Sequence, residues 1–186
     1  AFAAKLRAEG HPVITLQPGD AYNLGAEFYR WEIATAAACS ILGVNSFDQP
    51  DVQDAKDRTV RKMAEYNAAG KFDEGQSLWE DSTAKVYGPT FPGLKANLSL
   101  KALVSEFLSQ AKPGDYVAIN AYLPRNAATT AELQMLRGKV QKLTGAATTL
   151  GFGPRFLHST GQLHKGGPAS SLFVQITAEP AADLAI

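Results

Sequence analysis

The sequence predicts an α/β fold, a three-layer αβα sandwich built around a mostly parallel sheet. Three observations carry this expectation. Stretches with apolar residues at steps of three and four alternate with short, unbroken apolar runs of strand length. Turn tetrapeptides separate them, as in Gln17-Pro18-Gly19-Asp20 and Lys112-Pro113-Gly114-Asp115. The 186 residues, 45% hydrophobic and 19% charged, suffice for one globular core. Residues 1–186 are therefore expected to form a single domain.

Each element has its own signal. Ala1 to Glu9 is expected as the end of a helix that Gly10 stops, and Val13 to Leu16 as a short apolar strand. A long helix follows from about Tyr22 to Leu42, with Leu24, Phe28, Trp31, Ala34, Ala38 and Ile41 at helical spacing and Gly43 as its stop. A second helix is expected from Pro50 to Ala69, because proline favours the first helical position. The segment from about 70 to 98 is rich in Gly, Pro and polar residues without clear periodicity, and is expected to be an excursion across the surface. Regular alternation then returns. Ser99–Ala111 is helical, with Leu100, Leu103, Val104, Phe107 and Leu108 on one face. Tyr116–Ala121 is a buried strand, and Thr130–Leu143 a helix capped from within Ala128–Thr130 and stopped by Gly145. Thr148–Phe152 and Leu172–Thr177 complete the strands. In such sheets ligands bind beyond the carboxyl ends of the strands, which points to the loops after Leu16, Ala121 and Phe152.

Composition narrows the function classes. A formal net charge of zero argues against broad electrostatic binding to nucleic acid or to an anionic membrane. No apolar run approaches the roughly 18 residues that cross a bilayer, and the first residues lack the pattern of a signal peptide. One cysteine, Cys39, makes no internal disulfide and is expected as a buried core thiol. A reducing cytoplasm suits such a chain. No metal or other cofactor is implied: His158 and His164 with one distant cysteine do not form a ligand set.

The densest motif is Asn45-Ser46-Phe47-Asp48-Gln49, followed by Pro50, Val52 and Lys56. Gln49 caps the second helix, and Lys56, seven residues on, shares its face about 10 Å along the axis. Lys56 also falls within an apolar stripe of Val52, Ala55, Val60 and Met63, where an unpaired ammonium is costly to bury. Periodicity leaves two readings, a lysine snorkelling from the stripe's edge and a lysine aimed at an oxygen-rich ligand.

A second dense stretch runs from Gly151 to Pro168 and holds two of the three histidines. Its glycines let a backbone approach a ligand closely, a histidine exchanges protons near neutral pH, and Arg155 suits bidentate contact with phosphate. A turn-rich loop around one satisfied histidine is the alternative.

The run Leu42 to Gln49 with Val52 and Lys56 resembles the C-terminal signature of phosphoglucose isomerases, and Asn23–Gly43 is similar to the helix that precedes it there. Gln53 departs from the glutamate common in that family. The run Phe152-Gly153-Pro154-Arg155-Phe156-Leu157-His158-Ser159-Thr160-Gly161-Gln162-Leu163-His164 resembles the isomerase part of transaldolase–phosphoglucose isomerase fusions. The resemblance implies a C-terminal sugar-isomerase (SIS) domain of flavodoxin-like fold. It implies interconversion of glucose 6-phosphate and fructose 6-phosphate through ring opening and a cis-enediol. Gln49 would contact phosphate and Lys56 the ring oxygen. His164 or His158 would open the ring, and Ser159, Thr160, Gln162 and Arg155 would bind substrate. The family's Glu-Ser-Asn/Thr-Gly-Lys base motif and its glycine- and serine-rich phosphate loop do not occur in this sequence. The chain is therefore expected to act as part of a longer protein, with a preceding SIS domain, a transaldolase domain and a homodimeric partner. A non-catalytic sugar-phosphate-binding regulatory module is the alternative.

Overall fold

The computed structural model describes residues 2–17, 19–48, 50–157, 161–179 and 182. The fold is mixed α/β, with a three-stranded parallel sheet and helices. It divides into two compact units, Ala1–Gln49 and Pro50–Ile186.

The first unit holds two helices, α1 (Phe2–Ala8) and α2 (Asn23–Leu42). Gly10, at φ 81°, turns the chain after α1 as expected. Helix α2 starts where the Asp20 carboxylate accepts the backbone N–H groups of Tyr22 (2.8 Å) and Asn23 (3.1 Å), two donors that no helical carbonyl reaches. It stops at left-handed Gly43, whose N–H bonds the carbonyls of Cys39 and Ser40. No residue of α2 is fully buried: Trp31 is 57% exposed and Ile41 87%. Cys39 is consequently half-buried rather than a core thiol.

The expected strand Val13–Leu16 is irregular chain that joins no ladder. Ile14 is 83% exposed, and the Thr15 hydroxyl is held by Arg7 (2.8 Å). Strand propensity needs a neighbouring edge before it becomes a ladder.

The second unit opens with α3 (Pro50–Ala69), whose bounds match expectation, and Gly70 at φ 71° ends it. The excursion contains a small antiparallel hairpin, β1 (Trp79–Glu80) and β2 (Lys85–Val86). Asp81 organises its turn by accepting the N–H groups of Thr83 (2.7 Å) and Ala84 (2.9 Å). Its far end is tied to α4 (Leu100–Leu108) by an edge-on contact of Phe91 with Phe107 and by Gln110 donating to the Pro92 carbonyl (3.1 Å). Helix α4 is capped by Ser99, which accepts the Ala102 N–H (3.3 Å).

Then follow β3 (Tyr116–Tyr122), α5 (Ala127–Thr144), β4 (Ala147–Phe152), a short 3-10 turn (Arg155–Leu157), α6 (Gln162–Gly166) and β5 (Ser171–Thr177). The cap of α5 is Asn126, which accepts the Thr129 N–H (2.9 Å), so the helix begins three residues before the expected Thr130. Strand order is β4-β3-β5, all parallel, with Ile119 opposite Leu150 and Val174.

Strand geometry gives β3 two faces. Val117 and Ile119, both 0% exposed, form the core with Leu108 of α4 and Val140 of α5; Phe107, Leu136, Leu150 and Ile176 pack around them. Tyr116, Ala118, Asn120 and Tyr122 alternate onto the other face. Among the described residues no helix is long and apolar enough to cross a membrane.

Two isoleucines test this layout by chemical denaturation. Ile119→Ala is expected to cost about 2–5 kcal/mol because it empties a filled site. Ile41→Ala, at a residue 87% exposed, is expected to change stability by no more than about 0.5 kcal/mol.

Candidate functional site

The second face of the sheet is where the candidate residues gather. Helix α6 begins after buried Gly161, whose carbonyl accepts the N–H groups of His164 and Lys165 (both 3.1 Å). This short turn brings His164 against the sheet, where its Nδ1 lies 2.8 Å from the Tyr116 hydroxyl. Three rings enclose the imidazole. Tyr116 stacks at 5.6 Å, while Phe173 meets it edge-on at 5.2 Å and Phe156 at 6.4 Å. Burial among these rings lowers the His164 pKa from its ordinary 6.5, because charge is disfavoured away from water. The imidazole is therefore neutral at neutral pH. When the phenol donates to Nδ1, the proton sits on Nε2; in the other tautomer Nδ1 donates and Nε2 is the basic nitrogen.

Glycines make this packing possible. A Cβ on Gly151 would lie 3.1 Å from the Phe156 ring, and one on Gly153 2.5 Å from the ring of Tyr122. Phe156 and Tyr122 themselves meet edge-on at 5.8 Å. Gly151 is also the register partner of Asn120, which is 8% exposed on the same face of the central strand. Sequence reasoning passed over Asn120; its signal was one carboxamide inside an otherwise apolar strand. Tyr116, Phe156 and Phe173 were likewise missed as the surroundings of His164, because only the sheet register and the α6 turn bring them together.

Helix α3 docks on α6 through its first turns. Asp51, Val52 and Ala55 are half-buried, and a Cβ on Gly166 would collide with the Asp51 carboxylate. That contact joins the two motif-dense stretches. It also corrects the expected stripe. The buried line passes through 51, 52 and 55, about 90° around the helix from Lys56, and Val60 and Met63 are 66% and 59% exposed. Lys56 itself is exposed, on the flank of α3 about 7.5 Å along the axis from Asp51. The reason is that only the first two turns of α3 have α6 to pack on.

Of the other expected site residues, Gln162 is half-buried at the start of α6 and Arg155 is exposed on the 3-10 turn beyond β4. Arg125, not singled out from sequence, follows β3 with its guanidinium carbon 5.6 Å from the centre of the Phe152 ring. The carboxyl ends of β3 and β4 thus each carry an arginine. Gln49, His158, Ser159 and Thr160 lie outside the described residues. In the Asn45–Asp48 segment, the Asn45 side-chain oxygen Oδ1 accepts the Phe47 N–H (3.0 Å), and Ser46 and Phe47 border a cleft of about 430 Å³ against Phe28, Trp31 and Glu32 of α2. Among the described residues no group of three or more His, Cys, Asp or Glu side chains converges to hold a metal.

The half-buried imidazole has a pH signature. Its folded pKa lies below the unfolded value, so the unfolded chain binds the extra proton. The contribution to stability is complete above about pH 6.5 and is lost as pH falls toward the folded-state pKa. Thermal melts from about pH 7 down to about pH 5 are expected to lose less stability in His164→Phe, which keeps a ring but does not titrate, than in the wild type.

No protein-family model, no curated protein and no solved structure matches this chain.

Proposed function

We propose that this chain is the ring-opening and phosphate-contacting part of an aldose–ketose isomerase that interconverts glucose 6-phosphate and fructose 6-phosphate. The single observation that carries this reading is the docking of α3 on α6, which joins two isomerase-like motifs more than a hundred residues apart in the sequence. The mixed α/β fold with its parallel sheet is compatible with the SIS, flavodoxin-like sandwich that such enzymes use. In this reading the chain works in the cytoplasm beside a preceding SIS domain and a transaldolase domain, as a homodimer.

The chemistry divides among named groups. Ring opening moves the anomeric hydroxyl proton away and delivers a proton to the ring oxygen. His164, or His158, exchanges that proton, and the neutral imidazole of His164 suits the accepting step. Lys56 on the exposed flank of α3 supplies positive charge at the ring oxygen. Gln49 donates its amide to the phosphate, and Arg155 offers a bidentate grip. Ser159, Thr160 and Gln162 hydrogen-bond the sugar. Proton transfer between C1 and C2 needs a base from outside this chain, because the family's glutamate motif does not occur in the sequence.

Calorimetry with fructose 6-phosphate tests this reading. Weak binding to the chain is expected, and Lys56→Ala or Gln49→Ala is expected to weaken it at least about tenfold, or about 1.4 kcal/mol. The chain alone is expected to give no turnover, and a domain carrying the glutamate base to restore it. Full turnover by the chain alone, or binding indifferent to both substitutions, overturns the proposal. Tight binding to this chain without restored turnover favours the regulatory module instead.

A further inference from the structure

Strand β5 pairs along its whole length, Ser171–Thr177, with β3 on one side, and among the described residues no strand pairs with its other side. An open edge offers a row of N–H and C=O groups to any further strand, and native proteins guard such edges with charge, proline, bulges or a covering element. At β4, the opposite edge, a cation is in place: the Arg137 guanidinium donates to the Thr148 carbonyl (3.5 Å). Strand β5 has no charged residue and no proline, and Phe173, Val174, Ile176 and Thr177 are of the types that favour strands.

The pattern of β5 matches itself in reverse. Two copies laid antiparallel about a two-fold axis at Val174 pair Ser171 with Thr177, Leu172 with Ile176 and Phe173 with Gln175. This is the register that uses every residue of the strand, and it keeps the two faces of the sheet distinct. Leu172, Val174 and Ile176, which share the face of Val117 and Ile119, then meet their own kind. Val174 and Ile176 are only half-buried, so apolar surface is left for such a neighbour to cover. Charge fits as well. Lys165 precedes the strand and Glu179 follows it, and an antiparallel pair sets these opposite charges at the same end. Two compact units of these sizes would together expose about 10,000 Å². The chain exposes 14715 Å², an excess well above the roughly 800 Å² per partner of a standard interface.

We infer that β5 is the dimer edge of this chain, through which two copies join their sheets in antiparallel register about Val174. The pairing sets the partner's Gln175 beside Phe173, the ring that meets the His164 imidazole edge-on at 5.2 Å. Each copy thus adds a carboxamide to the rim of the other's histidine enclosure. The inference takes up the homodimer of the isomerase reading but rests on the strand edge, so it can fail without the sugar chemistry failing, and the reverse.

Sedimentation equilibrium of the chain is expected to show a dimer. Phe173→Lys with Gln175→Lys sets cation against cation twice across the axis and is expected to weaken dimerisation at least about tenfold. Phe173→Lys with Gln175→Glu sets opposite charges there and is expected to restore it. Both variants carry the same change beside His164, so damage to that enclosure does not account for a difference between them. Oxidation in a Cys39→Ser background reads the register. Val174→Cys faces itself across the axis and is expected to give a disulfide-linked dimer. Thr177→Cys is more exposed but lies about 20 Å along the ladder from its own copy, and is expected to give none. This cysteine pair decides alone if the charged variants do not fold. A monomer, a dimer indifferent to the paired lysines, or equal cross-linking at 174 and 177 overturns the inference. So does a monomer that associates only with a domain carrying the glutamate base, which assigns the edge to that domain.

Discussion

The second unit depends on the burial of one side of one strand. Val117 and Ile119 are fully enclosed, and β4, β5, α4 and α5 all pack about them. The alternation of a strand makes the consequence strict. Once the odd-numbered side chains of β3 enter the core, Tyr116, Asn120 and Tyr122 must stand on the opposite face. That face is where the candidate site is built.

The site face is stabilised differently from the core. In place of aliphatic interdigitation it has an aromatic enclosure around one histidine, fastened by the Tyr116–His164 hydrogen bond. Tyr116 is the first residue of β3, so this anchor fixes α6 near the amino end of the central strand. The arginines of the loops after β3 and β4 stand at the carboxyl ends. Docking of α3 on the same small helix then ties the lysine-bearing helix to this arrangement, and the lack of a side chain at Gly166 lets Asp51 come close.

Polar atoms in apolar or enclosed settings mark the places where sequence and packing are least in accord. Asn120 within the central strand and Glu27 Oε2 on α2 are of this kind. Neither is needed to hold its element: β3 is held by the ladder and core, and α2 by Asp20 and Gly43.

Local chemistry was legible in the sequence. The bounds of α3, the glycine stops after α1, α2 and α5, the apolar face of α4 and three parallel strands followed from periodicity, proline and glycine alone. These signals act within a few residues of chain. The Asn126 cap was missed because Thr129 and Thr130 offer equally good capping side chains, and only backbone geometry chooses between them. What tertiary structure decided was contact between distant segments. Val13–Leu16 has strand composition but no ladder, because pairing requires an edge that composition does not supply. Lys56 left the inward face of α3 because α6 covers only that helix's first two turns, on a line about 90° away. His164 met its tyrosine because the register of β3 with β5 and a five-residue helix placed them together. A helix or strand can be specified by its own residues; which side of it becomes a site is specified by whatever packs against it.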